Sequence, residues 1–410
     1  MSEPVGDISF IILLLGITLV GIIAIKGALG QTFIPSLLGF IALGFVIRLV
    51  DEQWSILDHE AEYIFTFLSK LGVIALLFRI GLESHLGRLL EQLKRASLIW
   101  ISGLLISGLS GYLVAFHILG LELIPSLFTG VAMTATSVGV PVAVWQEAGA
   151  LRSRKGSLLI DVAEFDDISG VLLMVLLFAI APLLRKGFDQ DVTVLLFQEM
   201  GIIILKFVLF AVMCFLFALY AEQHITNFMR RWVSSSNVLL VSLGFGFIIA
   251  AIAGMAGFSV AIGAFFAGLA FSRDPYKVKM DTSFDTLYEM FSPFFFIGIG
   301  MSIAPGSSFA AVGMGLLLFF VAGLGKLIGH GLPAWLTGGV TGLFLIGVSM
   351  IPRAEITMII MEHGLKLGPW AVPQQVFTAM VFVVLTTCLA APLTIRVMLE
   401  KWPQRESNKS

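Results

Sequence analysis

Charged residues are scarce in this chain, and cysteine and histidine are scarcer still. Only 13% of its 410 residues are charged, and it contains two cysteines and six histidines. Cys214 and Cys388 both lie inside apolar runs, where a thiol packs as a small apolar side chain. The histidines have no metal-ligand spacing, and no Gly-rich nucleotide-binding fingerprint stands between a strand and a helix. We therefore expect no disulfide, no cofactor, no nucleic-acid partner and no enzyme activity.

Apolar residues dominate instead, at 58% of the chain with a mean hydropathy of +0.99. Successive apolar runs of about 20 residues are typical of membrane-spanning helices. We predict an all-α polytopic membrane protein with thirteen spans. They cover residues 8–29, 33–49, 63–82, 96–118, 124–146, 157–183, 192–221, 236–255, 258–272, 288–304, 308–334, 341–363 and 373–398.

The basic residues are distributed unequally between the two sides of this topology. With an external N-terminus, 16 of the 25 Lys and Arg residues fall on the cytoplasmic side, 4 fall on the opposite side and 5 lie within spans. Because basic loop residues favour the cytoplasmic side of a membrane, we predict an external N-terminus and a cytoplasmic C-terminus. We expect an integral protein of an inner or plasma membrane, surrounded by the lipid bilayer.

The spans divide into two halves around the seventh. We predict one transmembrane domain over residues 1–398, with approximate repeats 8–183 and 236–398 joined by a linker helix at 192–221. We expect residues 399–410 to form a short polar cytoplasmic tail, which is too small to fold alone.

Two adjacent carboxylates, Asp166 and Asp167, stand in the middle of the sixth span. An acidic side chain at membrane depth is costly and marks a functional site by default. Counted from Gly156, Asp167 lies about 16 Å along the helix axis, near the middle of a hydrocarbon core about 30 Å thick. We predict that this pair binds protons and a cation.

A stripe of acidic residues leads to this pair. Asp161, Glu164 and Asp167 recur at three-residue spacing and therefore share one face of the helix, whereas Asp166 points about 100° away. We predict that Asp161 and Glu164 form a funnel that draws a monovalent cation to Asp167. The alternative is that Asp161 and Glu164 merely face cytoplasmic water.

Lys326 is the natural charge partner of the pair. It lies within the eleventh span among several glycines, which allow close approach of another helix. The alternative is that its flexible stem extends to the membrane interface.

Two spans are interrupted at depth. The fifth contains the polar residues 134–137 followed by Gly139 and Pro141, and the twelfth contains the segment 349–355 with Pro352. The two spans run in opposite directions in the predicted topology, and broken helices at matching places of two halves indicate an inverted-repeat transporter. We predict that these interrupted helices cross.

Several polar residues lie at the two breaks. Unwound backbone supplies carbonyl oxygens to a cation, and Thr136 and Ser137 can add hydroxyl ligands. Arg353 and Glu355 follow Pro352 and can offset the dipole charge of the facing helix ends. A plain structural ion pair between Arg353 and Glu355 is an equal alternative.

Seven motifs over essentially the whole chain carry a family resemblance. They are Leu76-Leu77-Phe78 with Gly81-Leu82-Glu83, Thr134-Ala135-Thr136-Ser137, Ala163-Glu164-Phe165-Asp166-Asp167, Gly263-Ala264-Phe265-Phe266-Ala267-Gly268-Leu269, Ser292-Pro293-Phe294-Phe295-Phe296-Ile297-Gly298-Ile299-Gly300, Gly325-Lys326 and Pro352-Arg353-Ala354-Glu355. In this order and spacing the chain resembles the monovalent cation:proton antiporter-2 family, which contains sodium/proton exchangers and glutathione-gated potassium efflux systems.

The resemblance implies a core domain that carries the ion by moving against a dimerisation domain, and hence a homodimer. It implies Asp167 as the ion-carrying carboxylate and a pairing of Asp166 with Lys326. Members with two adjacent aspartates and this lysine look like electrogenic sodium/proton exchangers, so the expected partners are Na⁺ (or Li⁺ or K⁺) and H⁺. Potassium efflux members usually carry Gln-Asp and a C-terminal nucleotide-binding domain, and we expect neither here.

Three other functions remain open at this stage. A potassium/proton antiporter would use the same helices, and a sodium-coupled symporter of an organic anion has a related helix arrangement. An intramembrane aspartyl protease would need its two aspartates on separate, facing helices, whereas adjacent aspartates on one helix point apart.

Overall fold

Helices form every regular element that the structure describes. This computed structural model describes residues 5–32, 34–83, 86–185, 190–221, 238–256, 258–271, 282–305 and 308–404. Helices α1 to α7 are Val5–Leu29, Ser36–Trp54, His59–Glu83, Leu86–Leu113, Leu123–Ala132, Gly139–Glu147 and Arg154–Arg185. Helices α8 to α15 are Gln190–Leu216, Val238–Met255, Val260–Phe271, Thr282–Met301, Ser308–Lys326, Leu332–Ser349, Glu355–Leu367 and Gln374–Lys401.

The predicted all-α polytopic fold is confirmed, since each predicted span overlaps a helix. Six helical stretches of the described residues are long and apolar enough to cross a membrane, and four shorter apolar helices accompany them. Three π-helical turns, Val114–Ile118, Phe217–Ala221 and Leu327–Gly331, extend α4, α8 and α12.

The boundary between the eleventh and twelfth spans lies at Gly339, inside the connection predicted between residues 334 and 341. The π-helical turn Leu327–Gly331 leads directly into α13, which is bent at Gly339 with φ 63°. Glycine adopts this left-handed backbone conformation without steric cost. The chain therefore changes direction at Gly339, and most of the connection predicted between residues 334 and 341 is helical.

The fifth and twelfth spans are both interrupted, as predicted. The fifth consists of α5 and α6 with residues 133–138 between them, and the twelfth consists of the end of α13 and α14 with residues 350–354 between them. The two interruptions touch, because Ser137 N–H donates to Pro352 O at 2.7 Å. The ends of four helices therefore meet at one crossing.

Glycines bring the backbones of α2, α3, α10 and α11 into direct contact. A Cβ atom added at Gly44 of α2 would lie 2.0 Å from Ile297 O of α11, and one at Gly300 of α11 would lie 2.1 Å from Ile41 O of α2. Gly81 of α3 and Gly268 of α10 form a matching pair, since their added Cβ atoms would lie 2.2 Å from Phe265 O and 2.0 Å from Phe78 O. These helix pairs pack as closely as their glycines allow.

Several of the basic residues on which the predicted membrane orientation depends lie outside the described residues. This applies to Lys186, Arg230, Arg231, Arg273, Lys277, Lys279, Arg405 and Lys409. The predicted linker helix at 192–221 coincides with α8 and its π-helical extension.

Candidate functional site

Asp166 is the centre of a buried polar cluster on α7. Its side chain is fully buried, and Oδ2 accepts hydrogen bonds from Lys326 Nζ at 2.6 Å and from Thr136 Oγ1 at 2.8 Å. The Nε2 atom of His330 lies 3.3 Å from the same oxygen. A buried carboxylate needs such partners, because an uncompensated charge in a protein interior is strongly destabilising.

Lys326 is the last residue of α12 and is fully buried. Besides Asp166, its ammonium donates to Thr134 O at 2.6 Å. The side chain therefore pairs with the carboxylate and does not extend to the membrane interface. It joins three elements, since it links α12 both to α7 and to the interruption after α5.

His330 is a member of this cluster that the sequence reasoning missed. It lies in the π-helical turn Leu327–Gly331 and is fully buried. Gly103 of α4 provides the space for its ring, since a Cβ atom at that position would lie 2.0 Å from His330 Cε1. Ser102 Oγ supports the same turn by donating to Gly329 O at 2.5 Å. The four-residue spacing from Lys326 places both residues on one helix face and was the available signal.

Asp167 has a different environment from Asp166. It is half-buried, as are Asp161 and Glu164, whereas Val162 and Ala163 on the other face of α7 are buried. Asp167 also interacts electrostatically with the Lys326 ammonium. The three acidic residues of the stripe thus occupy the more accessible face of α7, next to the buried ion pair.

The hydroxyls predicted as cation ligands already have partners at the crossing. Thr136 Oγ1 lies 3.3 Å from Met350 O as well as close to Asp166. Ser137 Oγ donates to Glu355 Oε2 at 3.1 Å. Both hydroxyls therefore connect the fifth span to the twelfth or to α7, and each keeps oxygen lone pairs that can face a cation.

Arg353 lies near the C-terminal end of one helix, and Glu355 lies at the N-terminal end of another. Arg353 is fully buried, and its Nη1 atom donates to Ala135 O at 3.0 Å and to Met133 O, close to the C-terminal end of α5. Glu355 is the first residue of α14. A helix carries partial negative charge at its C-terminus and partial positive charge at its N-terminus, so each side chain faces charge of the opposite sign.

A further chain of hydrogen bonds holds α7 against α4. Trp100 Nε1 donates to Ser169 Oγ at 3.0 Å, and Ser169 Oγ donates to Asp166 O at 3.0 Å. The backbone that carries the two aspartates is thereby fixed from the α4 side.

The cluster combines charged and neutral oxygen-bearing groups from α7 and the crossing. The described residues contain no group of three His, Cys, Asp or Glu side chains placed to hold a metal ion. They do bring together one buried ion pair, a half-buried carboxylate and backbone carbonyls of the interrupted helices, several of which accept hydrogen bonds from Lys326, Arg353 and Ser137. Carboxylate and carbonyl oxygens are ligands that hard cations prefer.

The chain is similar to a known family and to known proteins over nearly its whole length. The family model described as "sodium/hydrogen exchanger, transmembrane" matches residues 10–401. The Na⁺/H⁺-K⁺ antiporter GerN of Bacillus cereus is 31% identical over 383 residues, which cover 93% of each chain. A Na⁺/H⁺ antiporter of Enterococcus hirae is 27% identical over 381 residues, which cover 92% of each chain.

A solved structure of similar fold is that of the sodium/proton antiporter MjNhaP1 from Methanocaldococcus jannaschii. It superposes with a TM-score of 0.72 at 14% sequence identity, and the match covers 96% of this chain and 99% of that one. At this identity the likeness concerns the fold alone, which is shared over nearly the full length of both chains.

Proposed function

The chain belongs to the sodium/hydrogen exchanger family, and from this premise we propose that it exchanges Na⁺, and also Li⁺, for protons across a membrane. That it is a cation/proton antiporter follows from the family and from the relatives of similar length. Its particular cation, its mode of movement and its site residues are proposals. We propose no organic anion as substrate, because the relatives named above are antiporters.

One observation carries the proposal, namely the buried Asp166–Lys326 ion pair beside the half-buried Asp167. The pair is neutral overall and is held at 2.6 Å. Asp167 is the member of the acidic stripe adjacent to this pair in sequence, and its carboxylate interacts electrostatically with the Lys326 ammonium. We propose that Asp167 binds either a proton or one monovalent cation, and that the crossing supplies oxygen ligands from Thr136, Ser137 and the unwound backbone.

Competition at one carboxylate is sufficient for exchange. A cation that arrives from one side displaces the proton, and a proton that arrives from the other side displaces the cation. We propose that α7 and the interrupted helices move together as an elevator against a dimerisation domain, in a homodimer with an external N-terminus and a cytoplasmic C-terminus. Asp161 and Glu164 line the path from the cytoplasmic end of α7, and Arg353 and Glu355 neutralise the crossing.

A potassium/proton antiporter is the second candidate. The printed name of the Bacillus cereus relative includes K⁺ as well as Na⁺. Part of the chain also matches potassium efflux proteins, for example 65% of it at 29% identity to a glutathione-regulated system of Haemophilus influenzae. The two adjacent aspartates of this chain favour Na⁺ by the resemblance described above.

The test is exchange in proteoliposomes that contain a pH-sensitive dye. Addition of NaCl or LiCl should dissipate a preformed pH gradient for the wild-type protein, with a weaker response to KCl. Asp167→Asn should abolish the response, while Glu147→Gln, at an exposed position on α6, should behave as the wild type. Cation-driven proton movement by Asp167→Asn would overturn the assignment, and a stronger response to KCl than to NaCl would favour the second candidate.

A further inference from the structure

A cavity of about 400 Å³ lies apart from the Asp166 cluster. Its lining residues come from α2, α3, α11, α14 and α15 and from the segments that follow α2 and α11. It lies where α2, α11 and α14 end and where α3 and α15 begin, which is the external face in the proposed orientation. None of the site residues discussed above lines it.

Three polar residues of α3 line the cavity on one helix face. Glu62, Thr66 and Ser69 follow one another at spacings of four and three residues, so their side chains lie one above the other. At ~1.5 Å per residue, Ser69 lies about 10 Å deeper along α3 than Glu62. The polar lining therefore extends from the mouth of the cavity well into the apolar part of the helix.

Ser69 lies at the deep end of the cavity. Its side chain is only 3% exposed, and its Oγ atom has no hydrogen-bond partner within the described residues. It lies beside Gly298, another lining residue, where an added Cβ atom would be 2.7 Å from this oxygen. A buried hydroxyl without a partner is destabilising, so an occupant of the cavity that Ser69 can bind is favoured.

The carboxylates of the cavity exceed its basic groups by one. Glu362 pairs with Lys366 at 2.5 Å. Asp51 lies 3.7 Å from Arg48, which also lies 3.6 Å from Glu52 outside the lining. Glu62 has no ion pair with any residue that the structure describes. With three carboxylates and two basic side chains, the lining carries a formal charge of −1 when all five groups are ionised.

The C-terminal end of α11 adds partial negative charge at the cavity, although the carbonyls of residues 298–300 already accept hydrogen bonds from the backbone of Ser302 and Ile303. This helix ends at Met301, which lines the cavity with Ser302 and Ile303. Carbonyl groups in the last turn of a helix carry partial negative charge and favour a cation. The acidic residues, the unpartnered hydroxyl and this helix end thus point to the same kind of ligand.

We propose that this cavity is a second cation site, an outer vestibule that holds one hydrated monovalent cation on its way to Asp167. The role in transport rests on the proposed exchange function, whereas binding itself does not. At ~30 Å³ per water molecule the cavity has room for about a dozen waters, so the cation stays hydrated. One monovalent cation neutralises the formal charge of the lining.

The first test measures the half-saturating Na⁺ concentration from each side of oriented proteoliposomes. The double variant Glu62→Gln/Glu362→Gln should raise the external value about tenfold, which corresponds to about threefold for each charge removed at ~6 Å in a water-filled cavity. The cytoplasmic value should stay unchanged. Glu60→Gln is the matched control, because Glu60 is exposed on the same turn of α3 and does not line the cavity.

A variant of opposite charge separates binding from structural damage. Lys366→Gln removes the ammonium that pairs with Glu362 and should lower the external half-saturating Na⁺ concentration. Misfolding, in contrast, would impair Lys366→Gln and Glu62→Gln/Glu362→Gln alike. Three results would overturn the vestibule. The half-saturating Na⁺ concentration could change equally on both sides, or only on the cytoplasmic side, or it could change in the same direction in both variants.

Equilibrium binding makes the result independent of exchange. ²²Na⁺ binding to detergent-purified Asp167→Asn should persist and should weaken when Glu62→Gln/Glu362→Gln is added. If the wild type shows no exchange while this binding persists, the proposed function fails and the site stands. If exchange is normal and the added substitutions leave ²²Na⁺ binding unchanged, the site fails and the function stands.

Discussion

The ion pair between Lys326 and Asp166 gives the most direct test of the buried cluster. Replacing Lys326 by alanine removes the ammonium that lies 2.6 Å from the carboxylate. Asp166 then remains buried with only Thr136 and His330 as possible donors. Removal of one partner from a buried ion pair costs about 3–5 kcal/mol, because it leaves an uncompensated charge.

This loss can be converted into a melting temperature. With an entropy of unfolding of ~2 cal/mol/K per residue, a chain of 410 residues should melt about 4–6 °C lower than the wild type. The double variant Lys326→Ala/Asp166→Asn removes both charges and should recover part of this loss. The sign of the difference between the single and double variants depends on the pairing and not on the size of the side chains.

The two buried cysteines provide the assay. Cys214 is 3% exposed and Cys388 is fully buried, so a thiol-reactive fluorescent dye labels them only as the protein unfolds in detergent. Lys70→Ala is the control, since Lys70 is exposed on α3 and has no ion pair with the described residues. It should melt within about 1 °C of the wild type, as surface substitutions usually do. If Lys326→Ala melted like Lys70→Ala and the double variant were no more stable than Lys326→Ala, the reasoning would be refuted.

Two further predictions concern the niche around His330. Gly103→Ala should lower the melting temperature and the yield, because the new methyl group would overlap the imidazole ring. Gly323→Ala on α12 is the control and should melt at the wild-type temperature or above, because an added Cβ there meets nothing within 4 Å. His330→Gln keeps an N–H donor near Asp166 and should melt higher than His330→Leu, which leaves the carboxylate with one donor fewer. Equal melting of the two His330 variants would show that the imidazole only fills space.

The spans and their interruptions could be predicted because their signals are local. An apolar run of about 20 residues needs a helix to satisfy its backbone in lipid. Gly139, Pro141 and Pro352 mark breaks for reasons of backbone geometry alone. The exact ends of the helices could not be predicted from the sequence. The π-helical turn Leu327–Gly331 depends on packing against α4, and the end of the helix before Gly339 depends on a single backbone angle.

The partners within the cluster could be predicted only in part. The resemblance paired Asp166 with Lys326, and the two side chains lie 2.6 Å apart; their role in exchange stays a prediction. That Arg353 reaches the carbonyls after α5, and that Ser137 reaches Glu355, depends on contacts between residues more than 200 positions apart. No periodicity in the sequence encodes such pairings.

The backbone contacts at the paired glycines have a mechanical consequence. Gly72 of α3 adds a further close approach, with its added Cβ 2.6 Å from Phe291 O of α11, so α2, α11, α3 and α10 interlock in an unbroken row. Sliding any one of them along its neighbour would drive side chains into peptide groups. We therefore expect these four helices to move as one rigid unit, and any sliding between helices during exchange to occur at side-chain contacts outside this row.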